Sequence, residues 1–244
     1  MKKVLGDLRR ADQDFGMIET GDHVVVGVSG GKDSLLLLYA LARYRGFSPR
    51  PFRLTAVTLT MGLEPFDLTG VRALCAELET EYVVRETEIG RIVFDERHEA
   101  NPCALCARMR RGALIDLCRE LRANKLALGH HRDDALETLL LSLLYEGRVH
   151  TFHPVTRFAD RGVTQIRPLV YLSEKHIIHA ARRLALPVVP SPCPVDGGTR
   201  RAEMKELLDA LCRRHPDARD MLLQALKNDD QYSLWEKAKK EEHP

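Results

Sequence analysis

Six consecutive residues, Ser29-Gly30-Gly31-Lys32-Asp33-Ser34, carry the densest chemistry in the chain. Two glycines let the backbone turn tightly and approach an anion closely. The residues after them open a helix, where free N–H groups and the helix dipole favour a phosphate. Ser29 and Ser34 add hydroxyl donors, and Lys32 adds a positive charge. Asp33 is the odd member, because a carboxylate repels phosphate unless a cation lies between them. It is therefore a candidate magnesium ligand. The plainer reading is a glycine turn with Asp33 or Ser34 as a helix cap. Six residues in this order, directly after a buried strand, weigh against it. The loop is not of the Walker type, whose second glycine precedes Lys-Ser/Thr by a fixed spacing.

A second polar cluster follows a short apolar run at 126–129: Gly129-His130-His131-Arg132-Asp133-Asp134, then Glu137-Thr138. A strand end places such groups on the ligand-binding rim of a parallel sheet. Gly129, His130 and Asp133 are the candidate ligand-binding residues here. The alternative is that Asp133 or Asp134 caps a helix and the histidines fill core space.

A third cluster is Cys103-Ala-Leu-Cys106, followed by Arg108, Arg110 and Arg111. Pro102 ends the preceding loop, so the pair opens a helix. Cysteines three apart share one helical face and can both reach a metal. The helix N-terminus and the arginines favour thiolates. A pair supplies only two ligands where zinc or a cluster usually takes four. Cys193 follows the last apolar run at 187–189 and is the best third ligand. A redox dithiol, a zinc site completed by His98 and plain buried cysteine remain open alternatives. Cys75, Cys118 and Cys212 sit in helical patterns and read as structural.

Apolar runs at 24–28, 54–59, 82–85, 125–128, 165–167 and 187–189 alternate with helical patterns at 35–43, 68–79, 103–122, 135–146 and 174–184. The runs lack strict alternation, as strands buried on both faces should. The expected fold is a doubly wound, mostly parallel α/β sheet. Residues 1–22 form a helical lead-in, 23–195 the nucleotide domain, and 196–244 a helical tail over 200–213, 218–227 and 232–240. No apolar run reaches the roughly 18 residues of a membrane helix. A cytoplasmic protein with no membrane partner is expected, and its six cysteines are then thiols or metal ligands rather than disulfides.

The loop SGGKDS resembles the pyrophosphate loop of the N-type ATP pyrophosphatases. The resemblance implies ATP cleavage between the α and β phosphates and an adenylated intermediate. The stretches from Asp14 to Asp22, CALCARMRRGAL, LALGHHRDD and Ile166-Arg167-Pro168-Leu169 are similar to the tRNA-cytidine 2-thiolase family. That similarity implies ATP and Mg2+ at the loop and a tRNA substrate. It also implies a 4Fe-4S cluster on Cys103, Cys106 and Cys193, with one iron left open. By the same resemblance Arg167 contacts phosphate and the C2 oxygen of a cytidine is adenylated, then replaced by sulfur. Where the family reads roughly I-P-C-N-L-C-G, this chain reads Val189-Pro-Ser-Pro-Cys193-Pro-Val-Asp-Gly-Gly. The cysteine is displaced and one of two is missing. A sulfur donor, either a cysteine desulfurase or sulfide, is implied, and a homodimer is possible.

The formal net charge of +2 does not decide nucleic-acid binding; distribution does. Arg108 and Arg111 on one helical face, with the pairs 182–183, 200–201 and 213–214, are the candidate RNA-tracking cations.

Overall fold

The computed structural model describes residues 1–63, 67–97, 102–190, 193 and 200–228. Helix α1 (Lys2–Phe15) leads into strand β1 (His23–Gly27), then α2 (Lys32–Arg45), β2 (Arg53–Leu59), α3 (Thr69–Glu77) and β3 (Glu81–Arg85). A short α4 (Ile89–Arg91) runs into a π turn over Ile92–Glu96. Next come α5 (Pro102–Glu120), β4 (Lys125–Ala127) and α6 (Arg132–Leu141), which ends in a second π turn over Ser142–Glu146. Strands β5 (Val155–Phe158) and β6 (Val163–Ile166) form a hairpin. Helices α7 (Glu174–Arg183), α8 (Arg200–Arg214) and α9 (Ala218–Lys227) complete the described chain.

The described residues form one sheet of six strands in the order β3-β2-β1-β4-β6-β5, parallel except for β5. From β1 the chain crosses to β2 on one side, while β4 pairs with β1 on the other. The crevice where strand order reverses therefore lies between the carboxyl ends of β1 and β4, and ligands collect at such a point.

Why β1 and α2 sit centrally follows from their side chains. Val24, Val25 and Val26 are fully buried, and so are Leu35, Leu36, Leu37 and Leu38. A helix apolar on every side is stable only inside the molecule. Each buried leucine contributes about 1.5–3 kcal/mol, so this helix is fixed firmly and the turn before it inherits that rigidity. Helix α1 packs against α2 and α7. Its Asp12 is fully buried, accepts from Tyr44 at 2.7 Å and pairs with Arg50 at 2.6 Å.

Two sequence expectations are corrected. Residues 187–189 form no strand; the edge of the sheet beyond β6 is β5, an antiparallel strand. Pro187 lacks an N–H for a ladder, and Val189 bonds elsewhere. Strand β5 gives no apolar run because Thr156 and Arg157 break its pattern, whereas the run at 165–167 overlaps β6. The expected helix at 232–240 and residue His98 lie outside the described residues. Among the described residues, no helix is long and apolar enough to cross a membrane.

Candidate active site

The loop at 29–34 leaves β1 and is held from below by strand hydrogen bonds. Val28 N–H donates to the Val57 carbonyl at 2.7 Å, and Thr58 Oγ1 donates to the Val28 carbonyl at 2.8 Å. Gly30 has φ +84, the left-handed region that a side chain would strain. Gly31 is the N-cap of α2. Ser34 Oγ accepts from Ser29 N–H at 3.1 Å and donates to the Gly31 carbonyl at 2.9 Å. Ser29 Oγ lies 3.2 Å from Ser34 Oγ. The two serines therefore close the loop on itself, while the first N–H groups of α2 face the crevice as an anion-binding end.

Lys32 and Asp33 stand on that first turn. Lys32 Nζ lies 3.2 Å from Asp33 Oδ2 and 3.3 Å from Glu174 Oε1. Burial works against its charge, but Asp33 and Glu174 outweigh that and raise its pKa. Asp33 Oδ1 is buried without a hydrogen-bond partner, at 3.8 Å from His131 Nε2. A shielded carboxylate oxygen with no donor suits a cation.

The segment after β4 meets this loop from the other side of the crevice. A Cβ on Gly129 would stand 3.0–3.1 Å from backbone atoms of Asp33 and Ser34, so only glycine permits the approach. His131 is the N-cap of α6: its Nδ1 accepts from Asp134 N–H at 3.4 Å, and its own N–H donates to Asp134 Oδ2 at 2.9 Å. The helix-cap reading thus holds for Asp134, through a reciprocal capping box.

Asp133 is engaged elsewhere. Its Oδ2 accepts from Glu174 N–H at 2.8 Å, capping α7, and its Oδ1 accepts from Arg219 Nε at 2.8 Å. His130 is half-buried beside Phe152, with ring centroids 5.1 Å apart, and its Nδ1 has no partner. Burial brings its pKa down to about 4, with Asp134 opposing and Arg167 assisting; the ring is neutral at neutral pH.

Arg167 follows β6 on the same rim and is buried. Its Nη1 donates to the His153 carbonyl at 2.6 Å and to Thr156 Oγ1 at 3.2 Å, its guanidinium lies over Phe152 at 4.8 Å, and its Nε is unpartnered. Burial, then Arg111, lowers its pKa to about 10. It is not a surface salt bridge. Next to it opens a cavity of about 710 Å³, walled in part by Phe152, Tyr171, His150 and Lys227 and separate from the loop at 29–34.

Cys103 and Cys106 open α5 as the sequence indicates. Cys103 is exposed, whereas Cys106 and Cys193 are half-buried. Burial raises the Cys106 pKa; Arg110 opposes this, and Cys193 and Cys103 add to it. Both other thiols therefore lie near enough for their charges to be felt. Among the described residues no trio of metal-binding side chains is assembled. Val189 N–H donates to the Gly30 carbonyl at 3.0 Å. Four residues of chain span at most about 14 Å, so Cys193 is bound to lie close to the phosphate loop. Thiolate donors on a rim beside a nucleotide loop are chemically suited to an iron–sulfur cluster.

The structure also brings further side chains to the loop and its neighbours. Glu174 reaches Lys32, and Glu137 is buried beside Asp134 with its pKa raised to about 7, chiefly by burial. Arg201 on α8 pairs with Asp134 at 3.0 Å and lies 4.0 Å from Glu137. It is paired with this site while its side chain stays 43% accessible. Arg200 instead lies over Tyr145 at 4.6 Å. The Ser173 N-cap before Glu174 was the available signal for the helix start that aims this carboxylate.

Comparison with known proteins bears on the family and the fold. The PP-loop domain family matches residues 6–196. The tRNA-cytidine(32) 2-sulfurtransferase of Geobacter sulfurreducens is 40% identical over 231 residues, covering 93% of this chain and 90% of the relative. That of Geobacter metallireducens is 41% identical over the same shares. Among solved structures, the U34-tRNA thiolase NcsA of Methanococcus maripaludis, determined with its [4Fe-4S] cluster, superposes with TM-score 0.76 at 26% identity. The match covers 95% of this chain and 79% of that one. An NH3-dependent NAD synthetase from Campylobacter jejuni shares the fold at TM-score 0.51 and 18% identity, covering 96% and 98%. With a PP-loop model across most of its length and near-full-length relatives at about 40% identity, the chain belongs to the tRNA-cytidine 2-sulfurtransferase family of PP-loop proteins.

Proposed function

We infer that this protein is an ATP-dependent tRNA sulfurtransferase that replaces the C2 oxygen of a cytidine, at the tRNA position 32 named for its relatives, with sulfur. The observation that carries this reading is the Val189–Gly30 hydrogen bond. It ties the segment bearing Cys193 to the loop at 29–34, so activation and sulfur delivery share one crevice.

The triphosphate lies on the N-terminal turn of α2, met by N–H groups and by Lys32, on a loop that Ser29 and Ser34 hold closed. Asp33 would hold a magnesium ion, its unpartnered Oδ1 being the oxygen suited to it, and the ion would neutralise charge on the phosphates. His131 Nε2 lies 3.8 Å from that oxygen, beyond hydrogen-bond reach. The cytidine C2 oxygen attacks the α phosphorus and pyrophosphate leaves, which turns a poor leaving oxygen into AMP. Arg167 offers an unused Nε to the phosphate, and charge preorganised in this way stabilises what develops in the transition state. Sulfur then attacks C2, the C2–O bond breaks, and AMP departs.

Cys103, Cys106 and Cys193 would hold a 4Fe-4S cluster, which supplies an iron without a protein thiolate for binding the transferable sulfur. Arg110, beside Cys106, eases thiolate formation. The sulfur comes from sulfide, or from a cysteine desulfurase persulfide once two electrons from an external thiol reductant release it as sulfide, and the protein works in the cytoplasm. Exposed Arg108 and Arg111 on α5 track tRNA phosphates next to the crevice. Nucleoside analysis of tRNA from cells with and without the gene tests the reading. Loss of 2-thiocytidine supports it, and unchanged 2-thiocytidine sinks it.

A further inference from the structure

The loop lysine is already claimed in this structure. Lys32 is shared between Asp33 at 3.2 Å and Glu174 Oε1 at 3.3 Å, and the second oxygen of Glu174 lies 2.6 Å from Lys205 Nζ. Glu174 begins α7, and Lys205 stands one turn after Arg201 on α8. A helix outside the parallel sheet thereby reaches the phosphate loop through a single carboxylate. Two lysines and two carboxylates make a set with no net charge.

An arriving triphosphate needs the charge of Lys32, and Glu174 competes for it. Alone, Glu174 would present a full negative charge to Lys32 and to the phosphates. Beside Lys205 its field is largely cancelled at that range, because the second ammonium repels the first. The mutual effect is visible in the titration balance. Lys205 is raised by its bond to Glu174 despite burial, with Lys32 opposing; Glu174 is lowered, since Lys205 and Lys32 outweigh its burial.

We propose that Lys205 is a positioning residue of the ATP site, which offsets Glu174 so that Lys32 can pass from that carboxylate to the triphosphate. The proposal rests on residues 29–34 being the ATP site. It makes α8 part of the nucleotide machinery rather than an appendage.

The test is ATP–Mg affinity by calorimetry, and ATP KM and kcat in thiolation at saturating tRNA, on full-length cluster-loaded protein. Lys205 is half-exposed, with a side chain 48% accessible, so K205A should fold with an unchanged melting profile. K205A should weaken ATP by about three- to five-fold, the size of an exposed ion pair, with kcat unchanged. E174Q should tighten ATP by about two-fold, and K205A/E174Q should match E174Q. K205R should bind ATP within about two-fold of the natural protein.

A double variant as weak as K205A would mean that Lys205 only docks α8, and would overturn the proposal. So would K205A that lowers kcat at constant KM, or binds ATP as the natural protein does. Natural protein that binds no ATP at all would remove the ATP-site reading and this proposal together.

Discussion

The backbone N–H of Val189 donates to the carbonyl of Gly30 across 3.0 Å, which joins the chain leading to Cys193 to the turn that receives phosphate. Gly30 holds a left-handed φ of +84 there, so the acceptor is presented by a conformation few residues can adopt. Val189→Pro removes the donor, together with the apolar contacts of a half-buried side chain packed against the core. It should lower both ATP affinity and retained iron, each by about three-fold for one lost hydrogen bond. Calorimetry and iron analysis of one preparation check it; loss of only one of the two would separate the sites.

Asp33→Ala should reduce ATP-dependent thiolation by about 100-fold or more, as removal of a metal ligand does. The substituted side chain lies near the surface of the crevice at 31% accessibility, so iron content and melting temperature should stay unchanged. AMP release and thiolated nucleoside are measured together.

Cys103→Ser, Cys106→Ser and Cys193→Ser should each abolish a stable cluster after anaerobic reconstitution, read as iron per chain and visible absorbance. Cys75→Ala should keep full iron. Its thiol is buried in the core, as is that of Cys118, and burial pushes the two up to about 11 and about 12.

Gly129→Ala should raise ATP KM by about ten-fold. The added Cβ meets backbone of Asp33 and Ser34 at 3.0–3.1 Å, and backbone on the end of a buried helix cannot swing aside. Overpacking of this kind costs about 1–3 kcal/mol, visible as a lower melting temperature. An unchanged KM would show that the loop yields.

Glu137 gives a pH signature. Its folded pKa is raised to about 7 from 4.5, by burial first and then by Asp134. Between those values the folded state holds a proton that the unfolded state has released, so stability falls as pH rises through the window and levels off above it. Glu137→Gln should therefore be more stable than the natural protein at pH 8, by on the order of 2 kcal/mol. The two should converge below pH 4.5. Denaturant melts across pH decide it, and a difference independent of pH would refute it.

The sequence alone determined the features that are local or periodic. The order SGGKDS after a run of valines dictated a strand, a glycine turn and a helix N-terminus, and the structure has them at β1, residues 29–34 and α2. The all-apolar runs dictated a parallel sheet, and Pro102 before the cysteine pair dictated the start of α5. Long-range contacts were decided only by the tertiary structure. Which histidine faces Asp33 depended on the capping geometry of α6, which turns His131 toward the loop and leaves His130 against Phe152. Residues 187–189 carry strand-like side chains, but an available carbonyl on Gly30 captured Val189 instead of a neighbouring strand. Arg201 and Lys205 read as surface charge until folding set them against Asp134 and Glu174. Charges separated by scores of residues carry no signal of their pairing, because that energy exists only once the helices have docked.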